Sequence, residues 1–218
     1  MGTVDIVTKE YMRENAIFAD AFNYLIYGGK KVIDPAGLTE VDTATSAVGK
    51  KDALQKYRDV LKAAVIKQDE KMSYVLLGVE NQTDVHYAMP VRNAIYALQY
   101  GKQVSDIAAG HRRSQKDYSG KTGGEYLSGF LKEDHIKPVI TLVIHFGAEE
   151  WDGPLSLHEM MPIRDMEILS YVENYRIHLI DPAKLTEEEL NKFSTSMREV
   201  MGLSLIHISE PTRRTPIS

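Results

Sequence analysis

The sequence predicts an α/β protein whose mixed β-sheet is flanked by helices. Apolar residues recur at helical spacing in residues 8–27 and 84–109, a spacing that is typical of amphipathic helices. Two β-type runs follow one another at residues 57–67 and 73–82, and a continuous β-branched run fills residues 137–147. Helical and strand-type segments in this order indicate helices packed on a sheet that contains both antiparallel and parallel strands.

The first half of the chain is predicted to begin with a helix that leads into a loop. Two consecutive glycines end the helical pattern of residues 8–27, as glycine commonly does. Residues 30–56 carry few large apolar side chains, so we expect a loop there with one short strand. Pro90 must lie near the start of the helix predicted for residues 84–109, because proline disrupts a helix interior.

The two β-type runs at residues 57–67 and 73–82 predict a β-hairpin. The polar segment between them, QDEK, has the composition of a turn, and both runs are rich in residues that favour strands. The alanines in the first run leave a helix as the alternative for that segment.

Two strands and a helix are predicted in the second half of the chain. The β-branched run at residues 137–147 is of the kind that fills a central strand. Residues 175–181 predict another, shorter strand. The segment that starts at Thr186 predicts a helix to residue 202, because Thr186 and Glu189 have the spacing of a capping box.

Composition limits the kinds of site that the protein can hold. The chain has 218 residues, of which 43% are hydrophobic, enough to build a core. It has no cysteine, which excludes disulfides, thiolate metal ligands and cysteine nucleophiles and fits a reducing interior. The N-terminus lacks a targeting pattern and the apolar runs are too short to cross a bilayer, so we expect a cytoplasmic protein with no membrane partner.

The formal net charge of −5 argues against a general electrostatic grip on nucleic acid. That mode of binding needs many lysines and arginines to neutralise phosphates. A local basic patch around a small site is still compatible with this charge. Composition leaves open whether the chain forms a homo-oligomer.

The predicted hairpin brings two carboxylates together. If the turn is centred between Asp69 and Glu70, Asp59 lies opposite Glu80, and Gln82 shares their face by strand alternation. Opposed carboxylates repel unless one is protonated or a cation lies between them. Mg²⁺ is the simplest such cation, since it favours carboxylate oxygens and retained waters. In the alternative, the strand ends at the surface and both acids point to water.

The residues around this pair resemble a known family. The segments are RDV at 58–60, GVENQTD at 78–84, MPVRNAIY at 89–96 and the run PVITLVIHFGAEEWDGPLSLHEM at 138–160. In order and spacing they resemble the Rpn family of recombination-promoting nucleases and transposases, a branch of the PD-(D/E)XK nuclease superfamily. The resemblance extends over about residues 8–202.

This resemblance implies a fold, an activity and a set of site residues. The fold is a restriction-endonuclease-like core with a C-terminal α/β extension, and the activity is metal-dependent hydrolysis of DNA phosphodiesters in recombination or transposition. Asp59, Glu80 and the backbone carbonyl of Asn81 hold Mg²⁺, or Mn²⁺ in its place. Gln82 helps to aim the attacking water, at the position where the wider superfamily has lysine.

The glutamine at position 82 leaves a second function open. Lysine can stabilise a developing negative charge, whereas the amide of Gln82 orients water without contributing a charge. A catalytically weak or inactive DNA-binding accessory protein on the same scaffold is therefore the alternative. A third interpretation, a general α/β binding module, applies if the hairpin register is wrong.

Two acids of the first helix are candidates for an additional metal ligand. The superfamily often takes a further acid from its first helix, and Glu14 and Asp20 occupy that segment here. The alternative is that each is an exposed helix residue, since charged helix positions usually face solvent.

Four basic residues are candidates for contacts with DNA. Arg92 starts a polar stripe that continues at helical spacing with Tyr96 and Gln99, which predicts either a phosphate contact or a solvated face. The densest basic segment, HRRSQK, contains the other three, Arg112, Arg113 and Lys116. It either tracks a DNA backbone or forms a solvated loop with residues up to 124.

Two aromatic residues near the fourth motif are expected to be structural. His145 alternates with buried strand positions, which predicts a hydrogen-bonded or edge histidine rather than a catalytic one. Trp151, the only tryptophan, is expected to pack over the end of the sheet.

The last sixteen residues depart from the pattern of the preceding helix. Residues 203–218 resemble the translation of a sequencing adapter joined to a truncated reading frame, and they match no part of the family. We expect residues 1–202 to form the nuclease-like domain, truncated at its C-terminus. The tail is expected to be poorly packed and to carry no function.

Overall fold

The computed structural model describes residues 3–41, 44–45, 56–57, 59–68, 71–96, 99–114, 120–147 and 149–209. The strands are β1 (Thr39–Glu40), β2 (Ala44–Thr45), β3 (Lys56–Tyr57), β4 (Val60–Gln68), β5 (Lys71–Gln82), β6 (Val139–His145) and β7 (His178–Ile180). The α-helices are α1 (Thr3–Arg13), α2 (Asn15–Tyr27), α3 (Met89–Tyr96), α4 (Gln99–Arg113), α5 (Gly123–Ser128), α6 (Met166–Leu169), α7 (Glu187–Leu190) and α8 (Met197–Ser209). Short 3₁₀ turns occupy Pro35–Gly37, His158–Met160 and Pro182–Lys184.

Five of these strands form one mixed sheet in the order β1-β4-β5-β6-β7. The β1–β4 and β4–β5 pairs are antiparallel, whereas β5–β6 and β6–β7 are parallel. The predicted mixed α/β class is confirmed. The strand expected within residues 175–181 is β7, which joins the same sheet. Strands β2 and β3 form a separate pair.

The hairpin of β4 and β5 has the register that the sequence predicts. Val60 lies opposite Val79 and Gln68 lies opposite Lys71, so the next position beyond Val60 brings Asp59 to the level of Glu80. Both runs are strands, and the helix alternative for the first run is wrong. The turn residues 69 and 70 lie outside the described residues.

Strand alternation divides the hairpin between two apolar clusters. One face of the sheet contributes Leu77 and Val79 to the larger cluster, where helices α1, α2 and α8 supply residues such as Phe18 and Met197. The opposite face carries a smaller cluster. Its buried members are Met89, Tyr96, Val143, Trp151 and Ile177. Glu80 belongs to the second face because it lies one residue from Val79.

The helix predicted for residues 8–27 is broken in two. Glu14, between α1 and α2, has an extended backbone with φ −63° and ψ 123°. The buried Lys62 on β4 occupies this break, where its ammonium donates to the carbonyl of Arg13 and, at 2.6 Å, to Oδ1 of Asn15. A cation at the last carbonyls of α1 favours ending the helix there. The predicted C-terminal stop is correct, since Gly28 adopts φ 60°.

The helix predicted for residues 84–109 is also divided. It becomes α3 and α4, and residues 97–98 between them lie outside the described part. Pro90 is the second residue of α3, near its start as expected. The loop predicted for residues 111–124 is wrong in part, because α4 continues to Arg113 and α5 begins at Gly123.

The predicted C-terminal helix starts where expected, but it is interrupted and ends later than the prediction. The capping box of Thr186 and Glu189 is present at the start of α7. That helix ends at Leu190, and α8 begins only at Met197. The backbone stays helical to Ser209, beyond the expected boundary at residue 202. Residues 210–218 lie outside the described part of the chain.

The helices offer no membrane-crossing segment within the described ranges. None of them combines the length and the apolar composition needed to cross a bilayer.

Candidate active site

An open cavity of about 340 Å³ lies where β4 begins and β5 ends. Its lining residues come almost entirely from one stretch of chain. They are Asp59, Glu80, Asn81, Gln82, Thr83, Asp84, Val85, His86 and Arg92. The hairpin register accounts for this arrangement, because it brings the start of one strand beside the end of the other. The three residues expected to hold the metal ion, Asp59, Glu80 and Asn81, therefore border one space together with Gln82.

Asp59 and Glu80 reach the cavity from different depths. Asp59 precedes β4 and is partly exposed, and its Oδ2 accepts a hydrogen bond from the backbone N–H of Asn81 at 2.8 Å. Glu80 is only 1% exposed and lies on the sheet face that α3 covers. The interpretation in which both acids point to water is wrong for Glu80.

Glu80 is held by three side chains. Oε1 forms an ion pair with Nη2 of Arg92 and accepts a hydrogen bond from Nε2 of Gln82 at 3.2 Å. Oε2 accepts a hydrogen bond from the hydroxyl of Tyr96 at 2.6 Å. That hydroxyl in turn accepts from Nε of Arg92 at 2.8 Å. Arg92 thus supplies a cation beside Glu80, a solution to carboxylate repulsion that the sequence did not predict.

The polar stripe of Arg92, Tyr96 and Gln99 is not a solvated face. Tyr96 is 0% exposed and Gln99 is also buried, while the Arg92 side chain keeps 22% of its surface exposed. The alternative in which the stripe is a solvated face is therefore wrong. Helix α3 turns Arg92 and Tyr96 toward the sheet, which explains why both contact Glu80.

The electrostatics of the group keep Tyr96 protonated and Arg92 charged. Burial, reinforced by the Glu80 carboxylate, raises the pKa of Tyr96 far above its usual range. Burial acts to lower the pKa of Arg92, but Glu80, Tyr96 and Asp59 together raise it. Tyr96 consequently remains a hydrogen-bond donor to Glu80 across the whole neutral range.

Gln82 hydrogen-bonds to two of the expected metal ligands, Glu80 and the carbonyl of Asn81. Besides its bond to Glu80, Nε2 of Gln82 donates to the backbone carbonyl of Asn81 at 2.8 Å. The buried side-chain amide of Asn81 has no hydrogen-bond partner among the described residues. The carbonyl of Asn81 and the amide of Gln82 thus lie beside the two carboxylates.

The donor set fits a magnesium ion by its chemistry. Asp59, Glu80 and the carbonyl of Asn81 are hard oxygen ligands at one edge of an open cavity. The described ranges contain no group of three or more histidines and acids arranged for a metal. Mg²⁺ does not require one, since it is commonly held by one or two carboxylates together with waters and substrate phosphates.

The two candidates for an additional acid lie away from this cavity. Glu14 is exposed between α1 and α2, as its alternative predicted. Asp20 is buried, 3% exposed, and accepts five hydrogen bonds from the backbone and hydroxyl groups of Ser194 and Thr195. Neither residue lines the cavity. The structure therefore gives no support to either as a further ligand of this site, and the interpretation of Asp20 as an exposed helix residue is wrong.

The basic residues expected to contact DNA are not gathered at the cavity. Arg92 alone of the described candidates lines it. Arg112 and Arg113 are exposed to solvent, as the solvated-loop interpretation expects, but they lie in the last turn of α4 and not in a loop. Lys116 lies outside the described residues.

His145, which pairs with Gln82 across β5 and β6, packs against Trp151. Nε2 of His145 hydrogen-bonds to the carbonyl oxygen of Glu149 at 2.8 Å, and its ring meets that of Trp151 edge to face at 5.4 Å. Nδ1 of His145 has no partner among the described residues. Trp151 is buried in the smaller cluster, so its predicted packing role is confirmed.

Gly147 lies close to the backbone of Thr83, a lining residue of the cavity, and its replacement by alanine is expected to destabilise the fold. A Cβ there would lie 2.4 Å from Cε1 of His145 and 2.5 Å from the carbonyl oxygen of Thr83. Such overpacking costs about 1–3 kcal/mol. Gly101→Ala is the control, since a Cβ there meets open space on α4. Thermal melts that rank the two variants equally would contradict this prediction.

Sequence reasoning missed the role of Tyr96 and four of the cavity's lining residues. The lining residues are Thr83, Asp84, Val85 and His86. The i, i+4 spacing of Arg92 and Tyr96 was the available signal, but spacing does not reveal which helix face meets the sheet.

Comparison of the chain with models of known protein families finds no match, and comparisons with curated proteins and with solved structures find none either.

Proposed function

We propose that this protein is a metal-dependent endonuclease that hydrolyses phosphodiester bonds in DNA, in the course of recombination or transposition. The observation that carries the proposal is the meeting of Asp59, Glu80, the carbonyl of Asn81 and Gln82 at one open cavity. The resemblance of the four sequence motifs to Rpn nucleases supports it. The mixed sheet is compatible with a PD-(D/E)XK core, which we propose as the finer description of the fold.

In the proposed mechanism, Asp59, Glu80 and the carbonyl of Asn81 hold Mg²⁺ or Mn²⁺. When bound, the ion lowers the pKa of a coordinated water and polarises the phosphate. Asp59 supplies its carboxylate at the open side of the cavity, and the buried Glu80 is kept in orientation by Tyr96. Gln82 orients the attacking water through its amide, which already lies beside Glu80 and Asn81.

The second candidate is a DNA-binding accessory protein with little or no cleavage activity. Two observations favour it. Gln82 brings no positive charge to the cavity, and both oxygens of Glu80 are already engaged by Arg92, Tyr96 and Gln82. This candidate predicts DNA binding without cleavage in Mg²⁺ and in Mn²⁺.

A divalent-ion titration of plasmid cleavage tests both candidates. Purified full-length chain is incubated with supercoiled plasmid at rising Mg²⁺, Mn²⁺ and Ca²⁺ concentrations, with Asp59→Asn as the control protein. The nuclease proposal expects nicked or linear plasmid that depends on Mg²⁺ or Mn²⁺ and on Asp59. Binding in a mobility-shift assay without any cleavage would support the accessory protein instead.

A further inference from the structure

The carboxylate of Glu80 already has a cation. In the buried group of Glu80, Arg92 and Tyr96, the guanidinium of Arg92 pairs with Oε1 of Glu80 and donates through Nε to the hydroxyl of Tyr96. Glu80 is also a ligand in the proposed metal site. Two cations at one buried carboxylate repel each other, because charges interact strongly where solvent is excluded.

We infer that Arg92 competes with the divalent metal ion for Glu80, and that the ion binds only as the guanidinium moves away. This inference rests on the proposed function, because it assumes that Glu80 is a metal ligand. It assigns Arg92 as a residue that sets the metal affinity of the site.

The surroundings of Arg92 and Glu80 allow the metal ion to replace the guanidinium. Glu80 is 1% exposed, whereas the Arg92 side chain keeps 22% of its surface exposed and lines the cavity. Arg92 can therefore leave toward the open space, while Glu80 stays in the sheet. Tyr96 is fully buried and holds the second oxygen of Glu80, so the carboxylate keeps its orientation when the guanidinium departs.

Removal of the guanidinium should strengthen metal binding. In Arg92→Gln the competing charge is gone, and we expect the dissociation constant for Mn²⁺ to fall about tenfold or more. Without metal, the same variant leaves the buried carboxylate of Glu80 without its cationic partner and lowers the melting temperature. Mn²⁺ should restore the melting temperature, so the metal-induced rise in melting temperature is larger in Arg92→Gln than in the unmodified protein.

Calorimetric titration with Mn²⁺ and thermal melts with and without the ion test the inference. Arg198→Gln is the matched control, since it removes the same charge from an exposed position that does not line the cavity. A second comparison places Arg92→Gln in a Glu80→Gln background, where it should no longer change Mn²⁺ affinity. An equal dissociation constant in Arg92→Gln and in the unmodified protein overturns the inference.

Arg92→Met covers the case in which Arg92→Gln does not fold. Methionine keeps an unbranched apolar side chain in place of the arginine stem but removes the charge that competes for Glu80, so Mn²⁺ affinity should rise as in Arg92→Gln. If only this variant can be measured, an unchanged dissociation constant rejects the competition.

The results separate this inference from the proposed function. If the unmodified protein cleaves DNA through Asp59 while Arg92 variants bind Mn²⁺ no more tightly, only the competition fails. If no cleavage occurs but Arg92→Gln binds Mn²⁺ more tightly through Glu80, the competition stands and the nuclease proposal fails.

Discussion

Replacement of Asp59 by asparagine is expected to lower Mg²⁺-dependent DNA cleavage by about a thousandfold or more. The amide has nearly the shape of the carboxylate but no charge, so it binds a divalent ion poorly and loses the activated water. The fold should survive, because Asp59 is partly exposed and an asparagine oxygen can still accept from the N–H of Asn81. Initial rates of plasmid cleavage measure the effect.

The control for Asp59→Asn is Asp106→Asn. Asp106 is an exposed acid on α4 that pairs with Lys102 and does not line the cavity. It should keep the cleavage rate of the unmodified protein. Unchanged cleavage in Asp59→Asn, at matched protein folding, would remove the basis of the nuclease proposal.

Glu80→Gln should also abolish cleavage, but it is a less selective change. It leaves the largely buried guanidinium of Arg92 without its carboxylate, and loss of one partner of a buried ion pair costs about 3–5 kcal/mol. Loss of activity in this variant therefore has to be compared with its melting temperature. Asp59→Asn separates chemistry from stability more cleanly.

Replacement of Asp20 by alanine is expected to lower the free energy of unfolding by about 3–5 kcal/mol. The variant removes the acceptor of five hydrogen bonds and leaves the backbone N–H groups of Ser194 and Thr195 without it. These bonds fix the chain just before α8, so their loss also loosens the packing of α8 on α2. For a chain of this length the melting temperature should fall by roughly 10 °C.

Asp34→Ala is the matched control for this measurement. Asp34 is an exposed acid whose side chain accepts one bond, from the N–H of Ala36 at 2.9 Å. Its loss should cost about 1 kcal/mol or less, as for an exposed cap. Asp20→Asn keeps an acceptor oxygen, so its melting temperature should lie between those of Asp20→Ala and Asp34→Ala. If Asp20→Ala melts at the same temperature as Asp34→Ala, the anchoring role of Asp20 is wrong.

The hairpin and its register followed from the sequence because they depend on neighbouring residues. A turn centre and the alternation of side chains were sufficient to place Asp59 beside Glu80. The mixed sheet followed in the same way from the order of helical and strand-type segments. The residues that border the cavity on the strand side were therefore predictable.

The features of the fold and the site that the sequence did not predict depend on contacts between distant segments. The partners of Asp20 lie 174 and 175 positions away, which no local pattern reveals. The break in the first helix depends on Lys62, from a strand that comes 49 positions after Arg13. Tyr96 was missed for the same reason, since the orientation of a polar stripe is decided by the layer on which the helix packs.

The link from Asp20 to Ser194 and Thr195 also bears on the order in which the protein is made. A ribosome synthesises the second helix early, but the groups that hydrogen-bond to its buried acid, Asp20, are translated 174 and 175 positions later. Contacts this distant in sequence form late and slow the final folding step. Until then the carboxylate of Asp20 is hydrated and the apolar residues of α2 that pack with α8 stay uncovered, so a chaperone would find its binding surface on the N-terminal helices.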